Sequence, residues 1–341
     1  MSLVMTINQA QSAIAQCIRA KLVPLIAGSP AVGKSSIVHQ IAKDYGLKVI
    51  DVRLAQCDPT DLLGFPTIDK VSGKAHYAPM STFPLEGDEI PKGFNGWLLF
   101  LDEFTSATRA VQAAAYKLVL DRMVGDHHLH KNVAIVCAGN LESDGAIVEA
   151  MSTALQSRLV HFEVAVDSEC WLEWAVKNEI DHRITSYIRF KPDNLYTFKA
   201  DHTDKTYGSP RTWEFANRFV KGQPKVGMDK LHLLGGCLSE GLASEFIGFC
   251  AIYAELPTIE QICGNPKGMA MPQEPSILYA LSGSLANHAT PDKMDLLMKF
   301  IFRMPIEFQI VTLRETVRRK KDMLQVPAIQ KWIATQATEL F

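Results

Sequence analysis

The stretch Gly28-Ser-Pro-Ala-Val-Gly33-Lys34-Ser35 decides the fold of this chain. It has the spacing of a phosphate-binding loop, in which two glycines frame four residues and are followed by a lysine and a serine. The apolar run 23–27 before it predicts a short buried strand, and residues 34–44 after it have the spacing of a helix. A glycine turn between a strand and a helix lets backbone N–H groups surround phosphate oxygens at the positive end of the helix dipole.

The loop pattern assigns nine residues to nucleotide binding. They are Gly28, Ser29, Pro30, Ala31, Val32, Gly33, Lys34, Ser35 and Ser36. Lys34 is expected to neutralise charge on the β- and γ-phosphates of ATP, and the Ser35 hydroxyl to bind Mg²⁺. A glycine turn that matches the pattern by chance is the alternative interpretation.

A second apolar strand, 97–101, ends in the adjacent acids Asp102 and Glu103. A carboxylate at the carboxyl edge of a central strand can reach a metal beside the phosphate loop, which makes Asp102 the expected partner of Ser35 on Mg²⁺. Glu103 is positioned one residue later to orient and deprotonate an attacking water. The alternative is a strand that simply ends in solvated charge.

A third apolar strand, 133–138, is followed by Gly139 and Asn140. A neutral amide can hydrogen-bond water or a γ-phosphate without repelling it, so Asn140 is the expected sensor of the phosphate. A Gly-Asn turn is the alternative. Adjacent Asp and Glu suit attack by water better than transfer to a bound acceptor, and no NKxD sequence of the switch GTPases is present. Hydrolysis is favoured, with a phosphotransferase as the remaining enzyme alternative.

Strands at 23–27, 49–54, 97–101 and 133–138 alternate with helical patterns at 6–20, 34–44 and 107–121. This alternation predicts a parallel α/β sheet with helices on both faces over residues 1–165. From Cys170 onward the pattern is mostly helical, and a Gly-Gln-Pro break at 222–224 separates a smaller helical unit, 166–222, from a larger C-terminal helical region, 223–341.

The composition limits the class of protein. The chain has 341 residues, 47% of them hydrophobic, with a net charge of −2, so it has ample material for a core and no general basic field for nucleic acid. Its seven cysteines form no CxxC pair, which is typical of reduced thiols. The N-terminus lacks a signal-peptide pattern and the apolar runs are strand-sized, so we expect a cytoplasmic protein without a membrane span.

The order GSPAVGKS, LLFLDE, CAGN, ALQSRLVHFEV and GSPRTW resembles the AAA+ family of P-loop ATPases, and most closely its MoxR branch. Residues 58–64 followed by 74–79 are similar to the segment, here 58–80, that MoxR proteins insert in the second helix near the ring pore. The segment at 208–211 is similar to the start of the lid helix with its second sensor arginine. The match covers about residues 5–220, and it departs from the usual MoxR loop at Ala31, where glycine is usual, and at Ser35, where threonine is commoner.

This resemblance implies a ring-forming, Mg²⁺-dependent ATPase, usually a hexamer, with ATP at the subunit boundaries. Arg158 stands where the family places an arginine finger for the neighbouring subunit, and Arg211 where it places the sensor of the lid; a surface ion pair is the alternative for each. The implied role is remodelling of a protein client, often one bearing a von Willebrand factor A domain.

Two other functions remain open at this stage. A McrB-like nucleic-acid motor shares much of the architecture, and the basic run 313–321 offers contacts for phosphates, although a solvated face or a subunit contact explains it better. A nucleotide-gated binding scaffold with negligible turnover is the second rival.

Overall fold

The structure is a computed structural model that describes residues 3–145 and 148–336. The chain divides into two compact units. The first comprises Met1–Asp167 with Lys199–Asp201, and the second comprises Ser168–Phe198 with His202–Phe341.

The first unit is an α/β domain in which strands and helices alternate. Its elements in chain order are β1 (Val4–Met5), α1 (Ile7–Arg19), β2 (Val23–Ala27), α2 (Lys34–Tyr45), β3 (Leu47–Arg53), α3 (Pro59–Leu63), β4 (Phe65–Ile68), β5 (Ala75–Ala78), β6 (Gly96–Asp102), α4 (Arg109–Leu120), β7 (Met123–Val124), β8 (His127–His128), β9 (Val133–Gly139), α5 (Thr153–Gln156) and β10 (Leu159–Val164).

Six of these strands form one sheet, in the order β1-β10-β2-β9-β6-β3, and each described pairing in it is parallel. The predicted strands and helices of this domain are confirmed, with ends that differ by a few residues; β3, for example, begins at Leu47. The edge strand β1 and the strand β10, which were not predicted, complete the sheet.

The sheet is covered on both faces, which explains why its central strands are apolar at every position. In β6, Leu98 and Phe100 face one way and pack with residues of α1 and α2. Leu99 and Leu101 face the other way and pack with residues of α4. Since successive side chains of a strand point to opposite faces, a strand with helices on both sides needs apolar residues without alternation.

Two hairpins lie against each other in the first unit. Strands β4 and β5 pair antiparallel within the segment predicted as an insertion, and β7 pairs antiparallel with β8. A side chain at Gly125, whose φ is +56°, would come within 2.4 Å of the carbonyl oxygen of Leu63 and 2.7 Å of Cβ of Tyr77. The His127 ring bonds the Tyr77 carbonyl at 3.1 Å. Whether this hairpin is equivalent to the MoxR insertion stays a prediction.

The second unit is helical. Its elements are α6 (Ser168–Lys177), α7 (His182–Phe190), α8 (Pro210–Val220), α9 (Leu231–Leu238), α10 (Glu240–Glu255), α11 (Ile259–Gly264), α12 (Pro275–His288), α13 (Met294–Ile301), α14 (Ile306–Arg319) and α15 (Pro327–Gln336). An apolar core joins α11, α12, α13, α14 and α15.

One stretch of the described chain, Glu240–Gly264, has the length and hydropathy of a membrane span. It consists of two helices, α10 and α11, with a break at 256–258. Phe246 and Ile262, one in each helix, are fully buried. This arrangement is that of packed helices within the second unit.

Buried charges in the second unit are paired. Arg183 bonds Asp181 at 2.8 Å, with both side chains under a tenth exposed. Glu315 lies between Arg189, at 2.7 Å, and Arg319, at 2.9 Å. Removing one member of such a group would leave a buried charge without its partner, which is more costly than the loss of a surface pair.

His182, at the start of α7, is half-buried beside these pairs. Burial lowers the pKa of His182 to about 4, and nearby positive groups act in the same direction while Asp181 opposes them. The groups that face it from α7, α10, α12 and α14 are Asp181, Arg183, Tyr253, His288 and Arg319. The imidazole is therefore neutral in the folded protein across the physiological range.

We expect His182 to make the free energy of unfolding depend on pH. In the unfolded chain His182 binds a proton below a pH of about 6.5, whereas in the folded chain it does so only below about 4. The contribution of His182 to the free energy of unfolding is thus fully present above its unfolded pKa and is lost as pH falls toward 4. At pH 5 the loss is on the order of 2 kcal/mol. His182→Gln should reduce this loss in unfolding measurements at pH 7.5 and pH 5, whereas the exposed His232→Gln should not. Equal pH slopes for both variants would contradict the assignment.

Candidate functional site

The phosphate loop connects β2 to α2 in a conformation that its residues dictate. Gly33 has a φ of +103°, a value that residues with a side chain rarely adopt. A side chain at Gly28 would come within 2.6 Å of the carbonyl oxygen of Val164, so the loop passes close to the backbone at the end of β10. Ala31, where MoxR proteins usually carry glycine, also has a positive φ of +62°. The alanine is therefore held in the left-handed region, at a cost of roughly 1–2 kcal/mol.

Lys34 joins the phosphate loop to the end of β9. Its side chain is largely buried, and Nζ donates to the carbonyl oxygens of Gly28 at 2.6 Å and Ser29 at 3.0 Å. It also donates to Oδ1 of Asn140 at 3.0 Å. Two residues that are 106 positions apart are thus in direct contact. The ammonium group lies among oxygen acceptors of the kind that a phosphate would supply.

Ser35 and Asp102 are also brought together. The Ser35 hydroxyl donates to Oδ2 of Asp102 at 3.2 Å. The other oxygen of Asp102 accepts a hydrogen bond from the backbone N–H of Glu103 at 2.8 Å, which orients the carboxylate. Glu103 has a φ of +55° and ends the strand with a left-handed turn. A hydroxyl beside a carboxylate is a pair of hard oxygen ligands, and these residues fit Mg²⁺.

Thr105 holds Asn140 in place, and the sequence analysis missed it. Its hydroxyl accepts from the N–H of Asn140 at 3.0 Å and donates to the carbonyl of Asn140 at 3.1 Å. A side chain at Gly139 would come within 2.5 Å of Oγ1 of Thr105, so glycine is required before the asparagine. A lone threonine two residues after Glu103 has no distinctive sequence pattern, and only the proximity of β6 and β9 reveals its role.

A second contact that the sequence did not indicate joins the phosphate loop to the segment after β9. The hydroxyl of Ser29 donates to Oδ1 of Asp144 at 3.0 Å. Asp144 ends a short 3-10 turn that begins two residues after Asn140. The loop and the Asn140 segment are therefore tied at two points, through Lys34 and through Ser29.

Arg158 lies elsewhere in the same unit. It follows α5, precedes β10 and is exposed to solvent. Nη1 of its guanidinium donates to the carbonyl of Ala154 at 2.7 Å and to the Ser157 hydroxyl at 3.0 Å. Its described contacts are with this helix end and with Tyr116, and none of them is with the phosphate loop of its own chain.

Arg211 belongs to the second unit and is the second residue of α8. It is exposed at the first turn of this helix. The helix begins with a capping box, in which the side chains and backbone N–H groups of Ser209 and Thr212 bond each other. A helix therefore starts within the segment 208–211, as the sequence predicted, and the sensor role of Arg211 stays a prediction.

We expect loss of the Thr105 hydroxyl to destabilise the protein. Thr105→Val keeps the shape of the side chain but leaves both backbone groups of Asn140 without their partner, at a cost of about 1–3 kcal/mol in the free energy of unfolding. Thr105→Ser retains the hydroxyl and is the matched control. The comparison is made by denaturant unfolding, and equal stability of the two variants would show that these hydrogen bonds contribute nothing measurable.

Comparison with known proteins yields similar structures but no matching family. No protein-family model and no curated protein matches the sequence. NtrX of Brucella abortus in complex with ATP is 15% identical, with a TM-score of 0.41 over 98% of this chain and 69% of that chain. One mutant of RuvB from Thermotoga maritima is 17% identical, with a TM-score of 0.38 over 82% of this chain and 80% of that chain. A second mutant of the same protein is 16% identical, with a TM-score of 0.40 over 87% of this chain and 86% of that chain. At TM-scores below 0.5 these similarities carry no conclusion about this chain. The parallel sheet, with its phosphate loop between β2 and α2 and helices on both faces, gives this chain a P-loop nucleotide-binding fold that is followed by a helical region.

Proposed function

We propose that this chain is a Mg²⁺-dependent ATPase of the AAA+ type that works as a ring on a protein client. The observation that carries the proposal is the cluster of Lys34, Ser35, Asp102 and Asn140, which come from three separate segments and lie within hydrogen-bonding distance of one another in pairs. Each side chain is of the type that ATP hydrolysis requires at that place.

Lys34 supplies positive charge for the phosphates. In the structure its ammonium group donates hydrogen bonds to oxygens of Gly28, Ser29 and Asn140, among the contacts described. When ATP binds, oxygens of the β- and γ-phosphates replace some of these acceptors, so the buried charge always has partners. A lysine that is already desolvated and surrounded by acceptors loses little on this exchange.

Hydrolysis then follows from the positions of Glu103 and Asn140. Glu103 accepts a proton from a water molecule while the oxygen of that water attacks the γ-phosphorus. The bond from this phosphorus to the bridging oxygen of ADP then breaks. The products are ADP and inorganic phosphate. Asn140 orients the water or the γ-phosphate through its amide, and Thr105 keeps the asparagine in position.

Ser35 and Asp102 would hold Mg²⁺. When bound, Mg²⁺ would neutralise negative charge on the phosphates of ATP. The hydroxyl and the carboxylate oxygen are 3.2 Å apart, close enough to serve as neighbouring ligands of one ion, either directly or through water.

The exposed position of Arg158 supports a site completed by a neighbouring subunit. Its guanidinium does not contact its own phosphate loop within the described residues, and it lies at the surface where a second copy can approach. We propose that Arg158 stabilises charge on the γ-phosphate bound to the next subunit of a ring. A hexamer is the assembly that the MoxR resemblance implies.

A protein client fits the surface better than nucleic acid does. The hairpin of β4 and β5 exposes apolar side chains, with Phe65 54%, Ile68 72% and Val71 98% exposed. Such residues suit contact with another protein. A MoxR-type chaperone in the cytoplasm, acting on a partner with a von Willebrand factor A domain, is the role we propose.

Two arginines of the basic run favour a protein client over nucleic acid, because they are paired with acids of the second unit. Arg318 bonds Glu173 at 2.8 Å, and Arg319 bonds Glu315 at 2.9 Å. Both guanidinium groups are less than a fifth exposed. Arg318 and Arg319 are therefore used inside the second unit and offer little charge to phosphates of a nucleic acid, whereas Arg314 of the same run is 53% exposed.

We expect two substitutions to separate nucleotide binding from hydrolysis. Lys34→Ala should raise the dissociation constant for ATP by about 100-fold or more, because phosphate charge is no longer neutralised. Glu103→Gln should bind ATP as the wild type does and lower the turnover number by about 100-fold or more. Titration calorimetry with Mg²⁺ and phosphate release are the measurements, with the exposed Glu89→Gln as control. Tight ATP binding without turnover in the wild type would instead support a nucleotide-gated scaffold.

The ring mechanism predicts that activity depends on association. Turnover per subunit should rise with protein concentration, and Arg158→Ala should lower turnover by about 10³-fold while the affinity for ATP stays within threefold. Arg109→Ala, which removes another exposed arginine of the first unit, is the control. ATPase assays over a dilution series check this, and activity that survives both dilution and Arg158→Ala would rule out the shared site.

A further inference from the structure

The aromatic ring of Tyr116 lies beside the exposed side chain of Arg158 and packs against the apolar core. It lies in α4, is half-buried, and packs against the apolar cluster between α4 and the sheet. A ring held on one side by core residues has little freedom to move. The other side is therefore a stable surface for a neighbouring group.

Arg158 uses this surface. The Cζ atom of its guanidinium is 5.4 Å from the centroid of the Tyr116 ring, within the range of a cation–π contact. The two hydrogen bonds from Nη1 to Ala154 and Ser157 restrain the same group from the end of α5. The carbonyl of Ala154 belongs to the last turn of a four-residue helix, where acceptors lack partners within the helix.

These contacts restrict the movement of the Arg158 guanidinium but leave some of its N–H groups available as donors. Both described hydrogen bonds use Nη1, so the hydrogens on Nε and Nη2 can be donated to an oxygen of another molecule. A free arginine side chain has many rotamers, and ordering it on contact costs about 2 kcal/mol of entropy in solution. An arginine that is already held loses less when it meets a phosphate.

We propose that Tyr116 is a positioning residue that holds Arg158 ready for the nucleotide site of the neighbouring subunit. This inference rests on the proposed function, since it assumes that Arg158 acts across a subunit boundary. Tyr116 itself touches no nucleotide; it acts through the arginine, and it does so for the site of the next subunit rather than for its own.

Two substitutions separate the role of the Tyr116 aromatic ring from its contribution to protein stability. Tyr116→Leu keeps an apolar side chain against the core but removes the aromatic face, and Tyr116→Phe keeps both. We expect Tyr116→Leu to lower kcat roughly fivefold, with the KM for ATP unchanged, and Tyr116→Phe to retain wild-type kcat. Combined with Arg158→Ala, Tyr116→Leu should have no additional effect, because the group on which it acts is absent.

Mixed assemblies show in which subunit Tyr116 acts. A Lys34→Ala subunit binds ATP too weakly to turn it over but carries an intact Tyr116 and Arg158, whereas a Tyr116→Leu subunit carries an intact phosphate loop. In an equal mixture about one quarter of the subunit boundaries combine the two intact halves. Turnover should then exceed the average of the separate proteins by about threefold. A mixture of Lys34→Ala with Glu103→Gln, both defective in the same half, should show no such gain and is the control.

The outcomes distinguish this inference from the function on which it rests. If Arg158→Ala is inactive and complements Lys34→Ala, while Tyr116→Leu has wild-type kcat or fails to complement, the role of Tyr116 is wrong and the ring mechanism stands. If Arg158→Ala is fully active, both are wrong. A fall in kcat for Tyr116→Leu, wild-type kcat for Tyr116→Phe, and recovery in the mixture would together establish the positioning role.

Discussion

The ammonium group of Lys34 lies where two parts of the first unit meet, the phosphate loop and the end of β9. A buried positive charge requires oxygen acceptors, and here backbone carbonyls and the Asn140 amide provide them. This requirement draws the loop and the Asn140 segment together. The same oxygens define the space in which a phosphate can replace them, so one electrostatic constraint shapes both the local structure and the proposed chemistry.

The parallel sheet makes that meeting possible. Strands β2, β9 and β6 are neighbours, and their carboxyl ends lie at one edge, where the phosphate loop, Asn140 and the pair Asp102–Glu103 follow directly. Ligands of open parallel sheets bind at this edge. The helices on both faces exclude water from the strands, so side chains at the strand ends are the first polar groups after an apolar core. Rigid strands behind the site keep these groups in register.

The sequence predicted the four central strands of the first unit, the helices between them and the residues at the strand ends, because apolar periodicity and the spacing of a phosphate loop are local properties. It did not predict β1 and β10. It did not predict Thr105, Asp144 or Tyr116. Each of these acts through a partner distant in sequence, Asn140, Ser29 and Arg158 respectively, and no local pattern marks it. The pairing of the basic residues of α14 was likewise not predicted, since a run of charges looks the same whether it faces solvent or the acids of α6. The division of the helical region and the role of Arg211 stay predictions.

Ala31 has a consequence for the phosphate loop before any ligand arrives. Its positive φ is one that glycine would adopt more easily, but glycine would also leave the unfolded and the empty loop many more backbone conformations. A methyl group at this position removes many of them but also disfavours the left-handed conformation that the loop adopts, by roughly 1–2 kcal/mol. The hydrogen bonds of Ser29 and Lys34 to the segment after β9 therefore hold the empty loop against this strain, so we expect the loop to depend on these two contacts more than a glycine-containing loop would.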